Sequence, residues 1–404
     1  MFLHNYALAD SILGGAHLTF SQVVHHMKSS EAVHYAVSAI GLAMLANMGN
    51  ASSVAIEARA HYAKALSLTN IALSNKSRAL ENTTLNAVIL LGMFEVMLCG
   101  TPKSLDNAQR HIAGAAVLLD VWGSRQVCSL VGIQLFTQLR TDLTHVPDNV
   151  RRLSGFVQSC RSEEDSQVEI LVGLIAEMAD LLADVKGNGM PNPLEAMGRA
   201  WVIDGKLEAW SLGLPRRWQY TLRCKPKNNP GLISELAFND FYHVYPDIWA
   251  CNIWNYYRNA RILLNLLIRD RLLVHLTIQP YPEWKPLLDK TKTTIERCSV
   301  DILFSLSFVI AVQFTSLQRG HDQTRPGGYL AAYYVIWPLY VAVSVQTPGT
   351  PLWEWAVGRL EYIGRVLGIG QALLMARVMR RELAKVDISS YDYCNSYGSS
   401  PRPE

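Results

Sequence analysis

Seven cysteines in 404 residues (Cys99, Cys128, Cys160, Cys224, Cys251, Cys298 and Cys394) are few, scattered and odd in number. No two share a C-x-x-C spacing, which excludes a zinc site and a disulfide framework and leaves free, mostly buried thiols in a reducing compartment. Charge is scarce as well: 18% of residues are charged and the net charge is +3, too balanced for a surface built to grip nucleic acid. G-x-S-x-G, G-x-x-x-x-G-K-[ST] and a strand-borne G-x-G-x-x-G are all missing, so hydrolase, P-loop and Rossmann chemistry lack their basic parts. The eleven histidines never form H-E-x-x-H, and the adjacent His25 and His26 cannot share a helix face. Neither a metal nor a cofactor is expected.

Alternating strand-like runs bounded by turn dipeptides are almost absent too, which points to an all-α fold. Half the residues are hydrophobic, enough for an extensive core. Period-3.6 patterns predict helices over His17–Met27, Ala32–Ala46, Ser53–Ala72, Thr84–Leu98, Ala108–Val121, Val168–Val185, Asp204–Leu212, Asp247–Asp270, Thr293–Phe314, Tyr329–Trp337 and Trp353–Leu383. Short connections imply a single large bundle of antiparallel hairpins over residues 1–387, followed by a disordered tail, 388–404, poor in aliphatic residues. RSEEDS, Arg161–Ser166, reads as a charged linker inside that body. The N-terminal MFLHNYALADSILGG is neither basic nor apolar enough for a secretory signal. The apolar run Gly328–Val345 contains Pro338 and several tyrosines at the lower length limit for a span, so it reads as buried core and no membrane is expected.

The segment HVYPDIWACNIWNYYRNARILLNLLIRD, 243–270, carries both core and polar signals. Asp247 after Pro246 is a plausible N-cap. At 100° per residue, Trp249, Ile253, Tyr256, Ala260, Leu263, Leu264 and Leu267 gather on a core face. The opposite face collects Trp254, Tyr257, Arg258, Arg261, Asn265 and Arg269, with Trp254 and Arg258 spaced for guanidinium–indole stacking. That face is either solvated or lines a cavity for an organic ligand, and the sequence leaves both open.

Glu95 sits inside the apolar LGMFEVML and needs a partner, for which Arg110 and His111 on the next helix are candidates, as a structural ion pair or an acid–base couple. The basic cluster PRRWQYTLRCKPK, Pro215–Lys227, reads as a solvated loop, a localisation signal or an anion contact.

Several segments together resemble the helical regulatory domain of fungal zinc-cluster (Zn2Cys6) transcription factors. They are LLGMFEVM (90–97), RHIAGAAVLLDVWGSRQ (110–126), GIQLFTQLR (132–140), LEAWSLGLPRRWQY (207–220), YPDIWACNIWNYYRNARILL (245–264), WPLYVA (337–342) and WEWAVGRLEYIGRVLGIGQA (353–372). The resemblance implies a nuclear domain that tunes transcription or dimerisation, in some members by sensing a small molecule. Members of that family usually begin with paired C-x-x-C cysteines, whereas residues 1–98 contain none, so no direct DNA contact is expected from this chain. Three explanations stay open: a lost upstream exon, regulation through a DNA-binding partner protein, or recruitment to secondary metabolism.

The leading expectation is a transcription-regulator-like protein without its own DNA-binding module, acting on a fungal metabolic pathway through a partner, a homodimer or a hydrophobic small molecule. The alternative is a cofactor-independent enzyme of secondary metabolism (cyclase, isomerase or pericyclase type), which would sit in the cytoplasm. In either case the ligand-facing candidates are Trp254, Tyr257, Arg258, Arg261, His111 and Tyr334.

Overall fold

The computed structural model describes residues 20–122, 166–186, 192–225, 237–278, 282–318 and 328–380. Among them are thirteen α-helices and one two-stranded antiparallel hairpin, so the all-α expectation holds. The expected tail, 388–404, and residues 161–165 of the expected linker lie outside the described residues; Ser166 opens a helix. Cα packing divides the chain into two compact units that interleave in sequence. The first draws its described residues from 1–162, 312–333 and 358–386, the second from 163–311 and 334–357.

The first unit opens with α1 (Phe20–Ser29), α2 (Glu31–Gly49) and α3 (Ser52–Leu73). Ser30 caps α2 by accepting from Val33 N, and Asn50 ends it in the left-handed region at φ 48°, a conformation asparagine tolerates. α2 buries Ala32, Ala36, Ala39, Ala43 and Ala46, and α3 buries little beyond Ala58, Ala65, Thr69 and Ala72. Small side chains on both partners let the two backbones approach closely. Helix α2 is the one described helix long and apolar enough to cross a membrane, and half of its apolar stretch is buried within the protein.

After the single turn α4 (Lys76–Ala79), α5 (Asn82–Met97) is buried without interruption from Thr84 to Met97, because α2, α3 and α6 (Pro102–Trp122) all pack on it. An all-round apolar sequence such as NAVILLGMFEVM suits only such a central position. Gly92 is part of the fit: a Cβ there would stand 3.3 Å from His111 Cβ and Ile112 Cδ1.

The single helix predicted over Trp353–Leu383 is two, α12 (Pro351–Val366) and α13 (Gly370–Met379). The break is at Gly368, whose φ of +75° a side chain would strain and whose added Cβ would lie 2.5 Å from Met44 O. Asn47 fixes the junction from α2, its Nδ2 donating to Met97 O at 2.6 Å and to Gly368 O at 2.8 Å. One amide thus ties the end of α5 to the α12–α13 turn.

The second unit contains α7 (Ser166–Lys186), α8 (Pro193–Leu212), β1 (Thr221–Cys224), β2 (Phe241–Val244) and α9 (Ile248–Ile278). It also takes most of α10 (Lys285–Gln318) and parts of α11 (Gly328–Ser344) and α12. Helix α11 carries Pro338 internally and is buried along most of Ala332–Val343, as a core segment should be.

Gly368→Ala combines a positive φ with a backbone clash and is expected to lower stability by about 2–3 kcal/mol, read by chemical denaturation. Gly358→Ala, where an added Cβ meets nothing within 4 Å, is the control and should leave the midpoint close to wild type.

Candidate functional site

The helix predicted from residue 247 forms as α9, with Asp247 Oδ1 accepting from Ala250 N at 2.7 Å as the expected cap. Its arginine face is not solvated. Arg258 and Arg261 are each 1% exposed, deeper than Trp249 and Tyr256 on the face predicted as core. The solvated-face reading is corrected for a physical reason: α8 and the hairpin cover these side chains and supply acceptors that a helical wheel cannot show.

Arg261 meets α8. Its Nε and Nη2 donate to the two carboxylate oxygens of Asp204 at 2.7 and 2.8 Å, a bidentate fork, and its Nη1 reaches Glu208 at 3.4 Å. Tyr257 OH accepts from Arg261 Nη1 at 3.1 Å and donates to Ser211 Oγ at 3.1 Å. Asn265 Nδ2 donates to Asp204 Oδ1 at 2.9 Å, filling another lone pair of the buried carboxylate. A fork of this geometry is among the strongest polar contacts available to a protein, and it sets the register of α8 against α9.

Arg258 meets the hairpin. Nη1 donates to Tyr245 OH at 2.6 Å and to Asn255 Oδ1 at 3.0 Å, and Nη2 lies 3.4 Å from His243 Nδ1. The guanidinium carbon stands 4.8 Å from the Tyr220 ring, 5.6 Å from Trp254 and 5.8 Å from Tyr245, so the expected stacking on Trp254 forms within a larger aromatic box. Trp254 Nε1 donates to Trp218 O at 2.7 Å. Because arginine can only donate, His243 Nδ1 is the acceptor, and its Nε2 faces Asp301 of α10 at 3.5 Å.

Electrostatics agree with the geometry. Burial, with Arg258 adding to it, pushes His243 down to about 2, so the contact with Asp301 joins a neutral imidazole to a carboxyl group. Burial raises the Asp301 pKa, and Arg258 partly offsets it. For Arg258 itself burial opposes the charge, yet Tyr245 and Asp301 outweigh it and the guanidinium ends above the usual arginine value.

In the first unit, Glu95 is buried but its partner is not Arg110, which is exposed. Tyr62 OH donates to Glu95 Oε1 at 2.8 Å and Asn107 Nδ2 donates at 3.2 Å. His111 Nε2 lies 2.9 Å from the same phenol, and since the phenol has one proton, the imidazole is the donor. Glu95 and His111 are therefore joined through Tyr62, one residue from each of α3, α5 and α6. Burial lowers the His111 pKa and raises that of Tyr62, to which Glu95 adds.

The six candidate residues do not form one cluster. Trp254, Tyr257, Arg258 and Arg261 come together; Tyr334 is buried on α11 with its ring 6.4 Å from Tyr256, on a different side of α9; His111 belongs to the first unit. The sequence reading missed Asp204, Tyr220, His243 and Tyr245. Asp204 had a signal, since it interrupts the apolar stripe Ala196, Ala200, Ile203, Leu207 of α8.

Residues 19–186 match the family described as the fungal specific transcription factor domain. The transcription factor dbaG of Emericella nidulans is 24% identical over 139 residues, which are 34% of this chain and 32% of that protein. The chain thus matches about a third of the length of that curated relative. No solved structure matches. Of the segments that carry the resemblance, those at 90–97, 110–126 and 132–140 fall inside the matched residues, and those from 207 onward, with both arginines, lie beyond them.

Two outcomes follow from the buried charges and the buried histidines. Asp204→Ala leaves Arg261 without its fork and should cost about 3–5 kcal/mol, whereas Asp204→Leu combined with Arg261→Met removes both charges and should cost far less, as a denaturation cycle will show. The second concerns pH. His26, whose Nδ1 lies 3.1 Å from Asn86 Nδ2, is held down to about 4 by burial and by His25. His243 and His26 both stay neutral when folded but take a proton near the usual 6.5 when unfolded. Stability is therefore complete above that value and falls as pH drops from about 6.5 towards 4, by about 1.4 kcal/mol per pH unit for each histidine. Asp301, whose pKa burial raises, acts in the opposite sense. His243→Gln should flatten the decline in urea midpoint between pH 7 and pH 5.

Proposed function

We propose that this chain regulates transcription of a metabolic gene set in the nucleus through partner binding by its helical body, rather than by reading DNA itself. The observation that carries this is the match of residues 19–186 to the fungal specific transcription factor domain. Supporting it, Arg258 and Arg261 spend their donors on Asp204, Tyr245, Asn255 and Tyr257, so these two strong cations are engaged internally and not offered to phosphates. In this reading Trp254, Tyr257, Arg258 and Arg261 hold α8, the hairpin and α9 in one arrangement, and the regulatory work is done by surfaces that this frame keeps in place.

The test is removal of the gene from the organism that encodes it, with transcripts and small-molecule extracts measured together. A coherent set of transcripts should fall or rise, and return with the intact gene. Unchanged transcripts with one accumulated metabolic intermediate would instead identify an enzyme.

A further inference from the structure

The hairpin of the second unit has one closed edge and one open edge. Lys225 N donates to Asp240 O at 2.7 Å, and the register pairs Arg223 with Tyr242 and Thr221 with Val244. In an antiparallel ladder this places the main-chain groups of residues 221, 223 and 225 towards β2, and turns the N–H and C=O of Leu222 and Cys224 outward. On the far side of β2 the turn closes back, with Phe241 N donating to Phe238 O at 3.2 Å. On the β1 side no described residue closes the edge: all four residues of β1 are exposed, Leu222 at 54%.

The side chains along this edge have a definite pattern. Arg223 and Lys225 project on one face of β1, while Leu222 and Cys224 project on the other. Arg216 and Arg217, both exposed, precede the strand, with Arg217 lying 5.7 Å over Trp218. The carboxylate on the described hairpin, Asp240, lies 3.7 Å from Lys225 and leaves the local balance positive. An incoming strand would place every second side chain beside cations and the intervening ones beside Leu222.

From these observations we infer that β1 is a docking edge for an extended, acidic peptide segment of a partner protein, which adds as a third strand with acidic and apolar residues alternating. Main-chain bonds to Leu222 and Cys224 supply affinity, and Arg223, Lys225 and Arg216 supply charge selection. The basic cluster read from the sequence thus takes a specific use as the rim of a sheet edge. This names the chemistry of the partner in the regulatory reading and rests on that reading for its biological purpose. The binding itself is measured on purified protein, separately from any transcript.

The probe is a short fluorescent peptide alternating glutamate and valine, titrated against the full chain, with a lysine–valine peptide as control. Leu222→Pro removes an outward N–H that the β1–β2 ladder does not use, and prolines are tolerated on strand edges. Losing that bond should weaken binding about tenfold while thermal unfolding stays near wild type. If Leu222→Pro melts early, the double variant Arg223→Glu, Lys225→Glu leaves the backbone unaltered and should weaken binding at least as much, with the loss growing at low salt. Three results would overturn the inference: equal binding of the lysine peptide, affinities unchanged in both variants, or displacement of the peptide by a short DNA duplex, which would give the edge to phosphate. A positive titration beside unchanged transcripts would retain the docking edge and reject the regulatory reading; the reverse pair of results would reject the edge alone.

Discussion

Two guanidinium groups three residues apart on α9 are buried in the second unit, and the arrangement around them follows from that constraint. A buried arginine has five N–H donors and no capacity to shed its charge, so each donor left without an acceptor is costly. Asp204 answers Arg261 with both oxygens, and a hydroxyl, an amide, an imidazole and three ring faces answer Arg258. Meeting those demands fixes where α8 lies and how the hairpin folds over α9. A buried ion pair adds little net stability against an apolar replacement, but removing one partner strands a charge, so a slip of α8 that parted Asp204 from Arg261 would be costly.

The two cations are handled differently. Arg261 has a direct carboxylate, while Arg258 is held by neutral acceptors and aromatic faces, with Asp301 reached across His243. The histidine between them is neutral because burial, with Arg258 adding to it, lowers its pKa. In the first unit the polar joins are milder: Tyr62 links His111 to Glu95 at the meeting of three helices and Asn47 ties α5 to the α12–α13 turn, beside alanine-lined contacts and the close approaches at Gly92 and Gly368.

Specific surfaces then bear on function. The buried arginines are spent on the frame and do not face solvent. What the frame presents includes a short exposed strand beside basic side chains, on a hairpin held by Tyr220, His243 and Tyr245 around Arg258.

Helices were legible from residue order because their apolar periodicity is local: α2, α3, α5, α6, α7 and α9 form where the spacing put them, and Asp247 caps as its position implied. The division at Gly368 was not legible, since a glycine inside an amphipathic pattern does not reveal a positive φ; the backbone of Met44 decides it. The hairpin was invisible because β1 is exposed throughout and carries no alternation for burial to write into the sequence. By itself the sequence determined that α9 has an arginine face and that Glu95 needs a partner. Only the tertiary structure decided that this face is interior and that Tyr62 stands between Glu95 and His111, because burial and pairing depend on which distant segments arrive.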